Sequence, residues 1–153
     1  EEFTTLASFY LYKKNPAMSA KVLEKAITNE DIDFDNTNAK LLADSWLFAK
    51  ERLKSLNVIG SSLNNDPEDA KLIKQYINIA FSAFEWDEVI KGINKANEAG
   101  LEDDGKFALM KGIAYFEKNS IVNAKNSFIQ ASNSKEYKDQ GIAWLEYLEA
   151  LNG

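Results

Sequence analysis

Gly112-Ile113-Ala114-Tyr115, followed by Ala124, Phe128 and Ala131, is the stretch whose reading decides the fold. Ala124, Phe128 and Ala131 recur at i, i+4 and i+7, the spacing of one face of a helix. Gly112 and Tyr115 lie one turn apart on a preceding segment of the same period. Lys118-Asn119-Ser120, between the two segments, is a turn signal. The stretch therefore reads as two helices laid against each other, with small residues where the backbones approach and a large apolar plug beside them. Stepping back along the chain by 35 and then 34 residues recovers the same pattern, in units that start at Gly105, Ala70 and Asn36, with a first unit starting just before Glu1. Numbered from those starts, position 8 holds Ala7, Ala43, Ile77 and Gly112. Position 20 holds Ser19, Ser55, Val89 and Ala124. Position 24 holds Leu23, Ile59, Ile93 and Phe128, and position 27 holds Ala26, Ser62, Ala96 and Ala131.

The rest of the chain agrees. Apolar stripes at helical spacing run through Phe3-Leu6-Phe9-Tyr10, Leu41-Leu42-Ser45-Trp46 and Leu72-Ile73-Tyr76-Ile77-Ala80, with breaks at Asn15-Pro16, Asn64-Asn65-Asp66-Pro67 and Gly100. About nine helices and no strand are expected. A period of about 34 residues built from helix pairs is that of the tetratricopeptide repeat (TPR), which this chain resembles. The resemblance implies an all-α solenoid of about four repeats, at 1–35, 36–69, 70–104 and 105–136, forming one domain over 1–153. A helix over 137–151, with Trp144, Leu145, Leu148 and Leu151 on one side, would close the stack. Asn152-Gly153 would then end the chain naturally, and Glu1-Glu2-Phe3, which lacks a leader pattern, reads as the start of a fragment or mature product.

Composition removes several function classes. The chain has 153 residues, 45% of them apolar, and a net charge of −6, from 18 basic and 24 acidic residues. That balance argues against a nucleic-acid footprint, which needs a basic face. His and Cys are both absent. This removes thiol nucleophiles, His-based acid–base work, disulfides and the usual zinc ligands. Asp31, Asp33 and Asp35 alternate like the start of a calcium loop. The sixth and twelfth positions of such a loop, which require Gly and Glu, are Asn36 and Leu42 here. These aspartates, like Glu102-Asp103-Asp104, read instead as loop and helix-start residues. No catalytic residue, metal ligand or cofactor is expected, and the chain reads as a non-enzyme.

The TPR resemblance places a binding wall on the first helix of each pair. Positions 12 and 13 supply Tyr12, Leu47, Phe48, Phe81 and Phe116, position 9 supplies Asp44, Asn78 and Ile113, and position 5 supplies Lys40 and Lys74. The expected docking surface is Tyr12, Asp44, Phe48, Lys74, Asn78, Phe81, Ile113 and Phe116, because aromatic rows suit peptide anchors. Lys40, Lys71, Lys74 and Lys106 on one rim point to an acidic or C-terminal segment as ligand. Lys74 and Asn78 match two members of the clamp by which some TPR domains hold a terminal carboxylate; Met110 stands where the third would be.

Three stretches carry a narrower resemblance: Leu6 to Lys14, Leu41 to Leu47, and Gly112 to Phe116 together with the tail Gln140 to Glu149. They resemble periplasmic TPR proteins associated with the TonB–ExbB–ExbD energy-transduction systems of gammaproteobacteria. That resemblance implies the C-terminal part of a longer periplasmic protein that aids TonB-dependent uptake of iron complexes, with TonB, ExbB or ExbD as partners. No nucleic acid and no direct membrane insertion by this portion are expected. The alternative is a generic peptide-binding adaptor or chaperone-like module in another bacterial assembly.

Overall fold

A computed structural model describes residues 1–102 and 104–152; Asp103 and Gly153, both in motifs noted above, lie outside the described residues. These residues form nine helices and no strand: α1 Glu2–Tyr12, α2 Pro16–Thr28, α3 Asn36–Phe48, α4 Arg52–Asn65, α5 Ala70–Ser82, α6 Trp86–Glu98, α7 Lys106–Glu117, α8 Ile121–Ser132 and α9 Lys138–Asn152. No helix among them is long and apolar enough to cross a membrane. They group into two compact units, Glu1–Ala83 and Phe84–Gly153, so that α5 belongs to the first and α6 to the second.

The backbone supplies its own measure of the repeat. Four tight turns join the first helix of each pair (A) to the second (B), and each passes through one residue in the left-handed region: Lys14, Lys50, Phe84 and Asn119. They are spaced by 36, 34 and 35 residues. After three of these helices the chain closes back by the same bond, Asn15 N–H to Tyr10 O, Glu51 N–H to Trp46 O and Ser120 N–H to Tyr115 O, at 2.8–2.9 Å. That is the six-to-one bond of a Schellman ending, which satisfies an orphan carbonyl at the helix terminus. The next residue or two begin helix B, where Pro16 occupies the first turn of α2 and Asn15 caps it.

In the first unit α1 packs on α2, α2 on α3, α3 on α4 and α4 on α5. Ala7, Ala20, Leu23, Leu42 and Trp46 make one buried cluster. Small residues let these helices approach: Ser19 and Ser45 are fully buried and their hydroxyls hydrogen-bond across α2 and α3 at 2.9 Å, while buried Ser55 Oγ donates to Ala43 O at 2.8 Å. An inter-repeat polar cluster joins α3, α4 and α5. Ser62 Oγ donates to Asn36 Oδ1 (2.8 Å), and Asn36 Nδ2 donates to Asp66 Oδ2 (2.9 Å). Asp69 caps α5 by accepting from the Lys71 and Leu72 amides. Asp35, in the loop that alternates aspartates, caps α3 by accepting from Asn38 N–H at 2.8 Å.

The apolar stripe of α1 forms a helix as read, but one side of it is open. Position 7 is Leu6 in α1 and Leu42 in α3; Leu42 is 3% exposed and Leu6 41%. Position 10 is Phe9 and Ser45, at 50% and 0%. The side of α3 that carries these positions packs on α2, and no helix precedes α1 among the described residues. Periodicity shows that a face is apolar, not that a neighbour covers it.

In the second unit α6 packs on α7, α7 on α8 and α8 on α9. Phe128, fully buried, lies under Gly112: a Cβ at residue 112 would overlap the Phe128 ring. α9 covers the other side, with Trp144 stacked on Phe128 at 4.9 Å between centroids and Leu148 buried beside it. Gly141 lets α9 approach α8, since a Cβ there would overlap the Ser132 and Ala131 backbone.

Candidate functional site

Helices α3 and α5 of the first unit, with the start of α4, line one depression. Asp44 and Leu47 come from α3, Arg52 from the start of α4, and Lys71, Lys74, Gln75, Asn78, Ile79 and Ser82 from α5; together they line a volume of about 690 Å³. Helix spacing explains the set. Lys71, Lys74 or Gln75, Asn78 and Ser82 recur every three or four residues and so share one side of α5. Three residues expected from repeat positions 5 and 9, Asp44, Lys74 and Asn78, thus lie in the same depression.

Asp44 is half-buried there, and burial pushes its carboxyl above the ordinary 3.8, opposed by the hydrogen bond that Gln75 Nε2 donates to Oδ1 at 3.0 Å. The cations behave differently from one another. Lys40 Nζ sits 3.7 Å from Asp69 Oδ2 and belongs to the inter-repeat cluster. Arg52, Lys71 and Lys74 have no ion-pair partner among the described residues. Arg52 and Gln75 were not expected from the sequence. Arg52 lies on a B helix, outside the expected wall, and only the A–B turn brings it to α5's neighbourhood. One signal was present: Arg52 is the single arginine in the chain.

The wall aromatics do not all share one repeat position. Tyr12 and Phe48 occupy position 13 and are 80% and 68% exposed. Phe81 and Phe116 occupy position 12, and side chains at adjacent positions point about 100° apart around a helix. Phe81 is half-buried, as are Leu11 and Leu47 at the same position. Phe116 packs with Trp144 at 5.3 Å and Tyr147 at 5.8 Å, and Ile113 is half-buried against the Ala124–Phe128–Leu148 cluster. Both serve the packing of α7 with α8 and α9 in the second unit. The other tryptophans pack too: Trp46 is buried with Nε1 donating to Glu24 Oε1 at 3.2 Å, and Trp86 meets Phe84 edge to face at the α5–α6 turn. No cluster of three or more carboxylates arranged to hold a metal ion occurs among the described residues.

Comparison with known proteins gives a fold. No family model matches the chain, and no curated protein does. Two crystal structures of MamA are similar to it. One superposes with a TM-score of 0.65 at 17% identity, covering 90% of this chain and 74% of that one. The other gives 0.62 at 15% identity, covering 84% and 73%. At that identity the likeness concerns the fold alone. The described residues form an all-α helical-repeat fold of the α-solenoid class, similar to TPR architecture: four helix-turn-helix pairs and a ninth helix.

Proposed function

We propose that the protein is a non-catalytic scaffold that docks another protein on the A-helix side of its first unit. The observation that carries this reading is the depression itself, in which Asp44, Lys74 and Asn78 meet. Phe48 and Tyr12, large and exposed on the same unit, supply apolar anchors, and aromatic side chains often dominate interface energy. The TPR-type fold supports a protein or peptide as partner, since its repeats recur as rows of side chains rather than as an enclosed pocket.

In the finer reading the protein lies in the periplasm and assists TonB-dependent uptake of iron complexes by holding TonB, ExbB or ExbD. Its support is the three sequence stretches, and the generic adaptor or chaperone-like module is the competing reading. Immobilised chain incubated with the periplasmic segments of TonB, ExbB and ExbD separates the two. Retention of one segment, lost on Phe48→Ala and on Lys74→Ala, is expected; retention of none leaves the adaptor. The docking face is tested without a candidate partner by photo-crosslinking. A benzophenone side chain at residue 48 should give a discrete protein adduct in cells, while one at residue 122, exposed on α8, should not. Equal adducts from both positions, or none from residue 48, would remove the face.

A further inference from the structure

The depression between α3, the start of α4 and α5 holds three cations and one carboxylate of its own, in a protein whose acids outnumber its bases by 24 to 18. Lys40, one turn before Asp44 on the same side of α3, is already paired with Asp69, whereas Arg52, Lys71 and Lys74 have no ion-pair partner among the described residues. Unpaired cations clustered in one concave place raise the local potential and attract anions. The one arginine among the 18 basic residues stands here. Its planar fork suits a carboxylate held by two parallel bonds, which lysine cannot offer. Leu47 gives the same depression an apolar patch, and Gln75 keeps Asp44 oriented by hydrogen bond.

We infer that this depression binds an internal acidic segment of a partner protein, with one carboxylate on Arg52, another between Lys71 and Lys74, and an apolar side chain between them on Leu47. The inference rests on the proposed docking face and specifies its ligand. Charge complementarity selects the occupant. Asp44 sets its limits: the segment's carboxylates must pass to the basic side, so neutralising Asp44 relaxes a repulsion.

The probe is a fluorescein-labelled, C-amidated peptide, Gly-Ser-Glu-Glu-Leu-Glu-Glu-Ser-Gly, titrated with the full chain and read by anisotropy. Saturable binding is expected, with the all-Gln counterpart weaker by about tenfold or more, the scale of a lost charge-assisted bond. Arg52→Gln should weaken the acidic peptide about tenfold, Arg52→Lys less, and Asp44→Asn should strengthen it. Lys125→Gln, on α8, is the control and should change nothing. Equal binding of the Glu and Gln peptides, no effect of Arg52→Gln, or an equal effect of Lys125→Gln would overturn the inference. So would binding that requires a free C-terminal carboxylate. Should the acidic peptide fail while residue 48 still crosslinks a partner, the acidic ligand falls and the docking face stands; should both fail, both fall.

Discussion

At Lys14, Glu30, Lys50, Phe84 and Asn119 a residue with a side chain occupies the left-handed region, with φ between 56° and 64°. Each follows a helix end, where glycine would carry less steric cost. Asn tolerates this conformation better than Lys, because its short amide can bond locally. Lys50→Gly is therefore expected to raise stability by about 0.5–1 kcal/mol, the relief of αL strain less glycine's added unfolded entropy. Asn119→Gly should give a smaller gain in the same denaturant titration. Asn119 was legible within Lys118-Asn119-Ser120, and Lys14 beside Asn15-Pro16, whereas Lys50 and Phe84 are not turn-type residues and were hard to read. Gly112 was legible because its partner Phe128 lies at the matching position of the paired helix. Since a Cβ at 112 overlaps that ring, Gly112→Ala should cost about 1–3 kcal/mol by overpacking. Adding Phe128→Leu opens space, so the double variant should lose less than the two single losses together. Additive losses would mean that residue 112 meets something other than Phe128.

Between elements, equivalent positions meet different neighbours, and that sets what substitution costs. Leu42→Lys places a charge in the α2–α3 packing and should cost about 3 kcal/mol or more; Leu6→Lys, at the same repeat position on the open side of α1, should cost under about 1 kcal/mol. Thermal melts of the two variants test the comparison, and similar losses would show that α1 is covered in solution. The junction of α3, α4 and α5 carries the pH dependence. The Leu72 amide first, then the Lys71 amide and Lys40, hold the Asp69 carboxyl below 3.8. A carboxyl lowered on folding adds stability above its unfolded value, and that stability is lost as pH falls through the lowered folded value. Asp69→Ala should cost about 1 kcal/mol at neutral pH as a lost cap. Asp69→Asn keeps an acceptor for α5 and should mainly flatten the acid limb of the stability curve. The small residues at positions 8, 20 and 27 made the helix pairs legible, because close crossing dictates residue size. The candidate site was legible at Asp44, Leu47, Lys74 and Asn78, which repeat positions supply, and at Lys71 on the expected basic rim. Arg52 enters through an A–B turn, and the position-12 and position-13 aromatics part because a one-residue step turns a side chain from the junction to solvent.

Within each of the two units, the extensive helix contacts among the described residues join helices adjacent in sequence. A chain built this way has stability that is close to a sum of local terms, so damage need not spread. Its contacts are also short-range, which favours local opening over a single global event. Gly112→Ala makes the test, because its strain sits wholly in the second unit, between α7 and α8. Hydrogen exchange should show faster exchange in α7, α8 and α9, where Phe128, Trp144 and Leu148 pack together, by a factor matching the lost stability. Amides of α2, α3 and α4 should keep their wild-type rates, since their packing among Leu23, Leu42 and Trp46 is untouched. The same experiment on Leu42→Lys should reverse the pattern. If both variants instead accelerate every protected amide equally, the two units open as one, and the repeat-by-repeat account of this protein's stability is wrong.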